Sequence, residues 1–119
     1  MQELLELDKE LRDATENLTK FARVFKASAV KEAESHCVYE EKKNRFLIVL
    51  YDEEVQQSIK RTEVQRKAMY RNEYAKERRD WLLAKADFES DRDLFKGLQS
   101  KIMALQSLIG IEKAKLNLQ

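Results

Sequence analysis

The chain has no proline, two glycines and one cysteine. Proline and glycine break helices and make turns. With glycine only at Gly97 and Gly110, the interior of these 119 residues reads as long, uninterrupted helix. The lone cysteine, Cys37, forbids an intramolecular disulfide and fits a reducing compartment. Long apolar runs are missing as well. The longest, Phe46 to Tyr51, has six residues, and a membrane span needs roughly 20. The first residues are acidic and lack the apolar stretch of a secretory leader. The expectation is a soluble, cytoplasmic protein with no membrane contact, in the host cytoplasm if it is phage-encoded.

Catalytic signatures are missing too. The sequence holds no P-loop, no G-x-G-x-x-G, no G-x-S-x-G and no H-E-x-x-H. His36 and Cys37 are neighbours, and on a helix they point about 100° apart. With no further Cys or His, they do not make a zinc site. They read as a surface histidine beside a half-buried cysteine. Asp87 and Asp91 stand four apart with Asp93 near, but Arg92 and Lys96 interleave, so a solvated face is expected. The reading is a non-enzyme with no cofactor and no bound metal.

What is there is charge and a seven-residue repeat. Charged residues make up 38% of the chain and apolar residues 43%, the mix of coiled coils and long helices. From Leu4, steps of seven reach Leu11, Leu18, Phe25, Glu32, Tyr39 and Phe46. Three residues on in each heptad stand Leu7, Ala14, Phe21, Ser28, Ser35, Lys42 and Val49. The repeat stops at Glu53, Lys60 and Lys67. It resumes at Tyr74, Trp81, Phe88, Phe95, Ile102 and Ile109, with Ala84, Leu98 and Leu105 as partners and Glu77 and Asp91 as exceptions. A sustained repeat of seven is the mark of helices wound on one another.

The expected fold is all-α, a long antiparallel helical hairpin of coiled-coil type assembled into an oligomeric bundle. A single domain, 1–119, would have one arm over about 2–52, a bend over about 53–62 and a second arm over about 63–109. Thr62 followed by Gln65 fits a capping box opening the second arm. Leu4 would lie near Ile109 and Phe25 near Phe88, although the repeat fits equally if one arm slides by seven. Phe46 and Tyr74 are four whole heptads apart, so one continuous helix in a parallel dimer satisfies the same pattern. Phe46–Tyr51 is short enough to be a buried strand. As helix it is apolar all round and needs more than one neighbour. Phe46, Leu47, Ile48, Val49 and Leu50, with Leu94 and Leu108, are therefore the expected self-association surface.

The net charge of +1 hides an uneven distribution. Residues 1–41 carry 6 Lys/Arg against 10 Asp/Glu, residues 42–79 carry 11 against 6, and residues 80–119 carry 6 against 6. Within the basic middle, Lys60, Lys67, Arg71 and Arg78 fall within about 20° of one line on a continuous helix, at 100° per residue. Tyr70 and Tyr74 are close to it. Cations so spaced can track a phosphate backbone, and aromatics among them can stack on bases. The competing reading is an ordinary charged helix face paired with acidic groups of a neighbour.

Two stretches carry a resemblance. Tyr39-Glu40-Glu41-Lys42-Lys43, the Arg61-Thr62 turn, the pair Tyr70 and Tyr74 and the apolar stretch from Leu98 to Ile109 resemble a group of small helical phage and prophage proteins. Ser90-Asp91-Arg92-Asp93-Leu94-Phe95-Lys96, with Lys101-Ile102 and Leu105-Gln106-Ser107-Leu108, is similar to the C-terminal helix of UvsY recombination mediators of T-even-type phages. The resemblance implies an oligomeric accessory protein of DNA recombination or replication, binding single-stranded DNA and a recombinase or other protein partner. The other class of function open to such a chain is a structural or adaptor coiled coil, an assembly scaffold or an inhibitor of a host protein, with no nucleic-acid affinity.

Overall fold

The fold is described from a computed structural model covering residues Gln2–Leu118. Three helices account for nearly all of them: α1, Gln2–Gln57; α2, Glu63–Glu73; and α3, Ala75–Leu118. Among the described residues there is no strand, so Phe46–Tyr51 lies within α1. The chain falls into two compact units. The turn unit is Ser28–Phe88. The ends unit joins the chain up to Ala27 with the chain from Glu89 onward. No helix among the described residues is long and apolar enough to cross a membrane.

The turn unit is a helical hairpin, which removes the continuous-helix alternative. The chain reverses without glycine or proline. Ser58 adopts φ 53°, the left-handed conformation that ends many helices. Its N–H donates to the Val55 carbonyl at 3.4 Å, and the Ile59 N–H donates to the Glu54 carbonyl at 3.0 Å. This pair of bonds is a Schellman motif, which satisfies carbonyls orphaned at the end of α1. Four residues later Thr62 opens α2 with the expected capping box. Its hydroxyl accepts from the Gln65 N–H at 3.1 Å, and the Gln65 side chain accepts from the Thr62 N–H at 2.8 Å. Helix α1 thus runs to Gln57 rather than to about 52, and the reversal occupies residues 58–62.

That extension moves the pairing by one heptad. Phe25 meets Phe95, with ring centroids 5.1 Å apart, where the sequence pointed to Phe88. The sliding alternative is therefore the observed one. A later bend carries every partner further along the second arm.

Polar residues that interrupt the repeat find each other across the turn unit. Glu32 accepts from the Trp81 indole N–H at 3.2 Å. Lys42 donates to Glu77 at 3.0 Å. The Trp81 ring lies 4.6 Å from His36 and 5.8 Å from Tyr39, and Phe46 meets Tyr74 edge-on at 5.7 Å. Residue numbers rise on α1 as they fall on α3, so the pairing is antiparallel. Ala84, Tyr39 and Leu50 are buried beneath these contacts.

The covered face of α1 drifts toward the turn. The repeat pointed to Lys42 and Val49, but Lys43 is half-buried and Leu50 is buried, while Val49 is 63% exposed. A straight helix of 3.6 residues per turn drifts about 20° per heptad against a strict repeat of seven. Covered positions therefore step 39, 43, 46, 50, 54 along this end of α1.

The ends unit is simpler. Ala14, Leu105 and Ile109 are buried, and Leu4, Leu7, Leu11, Leu18 and Phe21 on α1 are half-buried, as are Phe95, Leu98 and Ile102 on α3. Here the heptad positions hold as the sequence gives them. Asp91 is half-buried, so it does not lie on the solvated face expected for it; Asp87 is exposed.

Candidate nucleic-acid interface

The candidate site surrounds the turn, and Glu54 organises it. Glu54 continues the covered line of α1 and is only 7% exposed. It accepts from the backbone N–H of Arg61 at 2.9 Å and from Arg66 twice, Nε at 3.2 Å and Nη2 at 2.9 Å. Such a two-pronged guanidinium–carboxylate pair is strong and directional. Arg61 Nη2 also donates to Glu53 at 2.6 Å. The Arg66 hydrogen bonds, helped by the Arg61 backbone N–H, lower the Glu54 pKa from its ordinary 4.5 to about 2. The same contact raises the Arg66 pKa. Sequence reasoning missed this clasp because it followed strict sevens to Glu53. The straight-helix spacing from Tyr39 leads to Glu54 instead.

The clasp sorts the basic middle into two sets. Arg61 and Arg66 are consumed by Glu53 and Glu54. Lys42 takes Glu77, whose pKa is lowered mainly by that hydrogen bond. Lys43 takes Glu40, and its pKa is raised by the bond. Lys60, Lys67, Arg71, Lys76, Arg78 and Arg79 make no ion pair among the described residues. All are exposed except Arg78, which is half-buried.

The straight line expected through Lys60, Lys67, Arg71 and Arg78 is broken twice. Lys60 lies in the turn, before α2 begins. Tyr74 separates α2 from α3 with φ −112° and ψ 37°, between Arg71 and Arg78. Helical bonds bridge the step: the Tyr74 N–H donates to Tyr70, and the Arg78 N–H to the Tyr74 carbonyl. Lys67 and Arg71 remain one turn apart on α2, with Lys60 at its approach and Arg78 on α3.

The two tyrosines are half-buried. Tyr74 packs edge-on against Phe46, and Lys43 Nζ lies 5.5 Å from the centre of the Tyr70 ring. Tyr70 also lines a hollow of about 220 Å³ with Leu47, Tyr51, Glu63, Arg66 and Lys67. The Arg66 guanidinium stands 4.6 Å from the Tyr51 ring centre. An open aromatic hollow edged by cations can receive a planar ring beside a phosphate.

The other candidates are placed as follows. Phe46 and Leu47 are half-buried and Leu50 is 4% exposed, so their own unit covers much of this run. Ile48 is 69% exposed, Leu94 57% and Leu108 48%. Cys37 is exposed rather than half-buried, and His36 is half-buried against Trp81 with Nε2 3.6 Å from Glu40. Among the described residues no group of three or more His, Cys, Asp or Glu is placed to hold a metal ion. Comparisons with known protein families, with curated proteins and with solved structures found no match to this chain.

Proposed function

We propose that the chain is a non-enzymatic, single-strand nucleic-acid-binding accessory protein of phage-type DNA recombination or replication. One observation carries the reading. Around the turn, six cations are left without ion pairs while the nearby carboxylates Glu53, Glu54 and Glu77 are already engaged. Lys60, Lys67, Arg71 and Arg78 contact phosphates. Tyr70 and Tyr51 offer ring faces at the hollow, and Tyr74 holds the platform against Phe46. The likeness of its C-terminal stretch to UvsY mediators supports an oligomer that works beside a recombinase.

Fluorescence anisotropy with a labelled single strand, titrated with salt, tests this. Four phosphate contacts give a slope of about −3 for log K against log [salt]. Lys67→Glu/Arg71→Glu flattens that slope by about one to two units and weakens binding. No binding at about 50 mM salt, or binding unchanged in the double variant, rejects the reading.

A second reading has its own observation. Leu94 and Leu108 stand exposed on α3 of the ends unit, and contiguous exposed apolar surface marks protein contacts. The chain is then an adaptor between proteins. Binding of a protein partner with no nucleic-acid affinity at low salt favours that reading over the first.

A further inference from the structure

On α3, Leu94, Gly97, Lys101, Ala104, Leu108 and Ile111 recur at alternating steps of three and four. They run one or two residues off the seam that faces α1, which places them about 110° further round the helix. Leu94, Leu108 and Ile111 are 57%, 48% and 52% exposed. This is a second seam with nothing on it.

Gly97 sits at its centre. A Cβ built there meets no atom within 4 Å. A glycine inside a helix weakens it, and packing within the chain gives no reason for one here. The backbone instead floors a groove of about 570 Å³, with Phe21 on one side and Ser90, Asp93, Leu94 and Leu98 on the other. A bulky side chain from outside has room to enter.

We infer that the occupant is a second copy of this chain, with the two α3 helices packed antiparallel about a twofold axis near residues 102–103. In that register Leu108 of each copy enters the Gly97 groove of the other, Ile111 covers Leu94, and the aliphatic stem of Lys101 lies over Ala104. Charge selects the direction. The stretch from Asp87 to Asp93 holds four carboxylates against Arg92 alone, whereas Lys113 and Lys115 close the other end. An antiparallel pair brings Asp93 to Lys115 at both ends, while a parallel pair sets like against like. The side chains of Asp93 and Lys115 are 73% and 64% exposed. Each holds only a near neighbour of its own chain, Arg92 at 3.7 Å and Glu112 at 3.2 Å. A face that pairs with itself closes at two copies. The inference rests on the self-association part of the proposed function and not on nucleic-acid binding.

Sedimentation equilibrium on the full chain tests it. The expected species up to about 100 µM is twice the 14.1 kDa chain. Gly97→Leu fills the groove where the monomer has open space, so helicity and melting are kept while the dimer weakens at least about tenfold. Asp93→Lys alone weakens it, and Asp93→Lys with Lys115→Asp restores it. A monomer throughout, a dimer indifferent to Gly97→Leu, or no recovery in the charge swap overturns the inference. Anisotropy on the same samples separates the two ideas. An intact dimer that ignores single strands rejects the nucleic-acid reading and leaves this interface standing.

Discussion

The two units spell the same seven-residue repeat and hold their helices together differently. In the ends unit the covered positions are leucine, isoleucine, phenylalanine and alanine. Apolar burial is strong but non-directional, and a slide by seven replaces one apolar residue with another. In the turn unit the repeat is interrupted, and each interruption has one partner: Glu32 with Trp81, Lys42 with Glu77, Glu54 with Arg66. Polar pairs in a helical interface fix register at some cost in stability. The chain thus places adhesion in one unit and specification in the other.

The largest test of that contrast is in the ends unit. Leu105 is 5% exposed, and Leu105→Ala is expected to cost about 2–5 kcal/mol in urea unfolding. That loss stays nearly constant from neutral to acid pH, since no titrating partner is removed.

A smaller, pH-dependent effect belongs to the turn unit. The Glu54 pKa is lowered from 4.5 to about 2 by Arg66 and Arg61. A carboxylate held lower in the folded state stabilises fully above its unfolded value and is lost as pH falls through the folded one. The advantage of wild type over Glu54→Gln is therefore complete above about 4.5 and fades toward about 2. Melting curves at stepped pH show it. An advantage independent of pH would mean that Glu54 acts by packing rather than by charge.

Smaller again is the Lys42–Glu77 pair, whose side chains are 45% and 23% exposed. Lys42→Glu or Glu77→Lys alone lowers the melting midpoint modestly, and the double swap recovers it in a double-mutant cycle. The smallest change is a gain. Ser58 holds φ 53° without being glycine, so Ser58→Gly is expected to stabilise by about 0.5–1 kcal/mol in the same urea assay.

The seam, the capping box at Thr62 and the all-helical class were legible in the sequence because periodicity and cap chemistry are local. The register was not. It depends on where α1 stops, and the signal there is a serine in a left-handed conformation rather than a glycine. The drift from Val49 to Leu50 and from Glu53 to Glu54 was hidden for a related reason. Strict counting by seven assumes a supercoil that a straight helix end does not keep. Of the candidate site, the basic residues were visible by composition. Which of them stay unpaired was not, because Arg61 and Arg66 differ from Lys67 and Arg71 only in what the reversal brings beside them.

The direct test of the central contrast is lysine-modification footprinting of the full chain with and without a single-stranded oligonucleotide. Lys60 and Lys67 in the turn unit, and Lys9, Lys96 and Lys113 in the ends unit, are all exposed. The account predicts that the strand shields Lys60 and Lys67 and leaves the other three as reactive as before. Equal reactivity everywhere, or shielding confined to the ends unit, would contradict it.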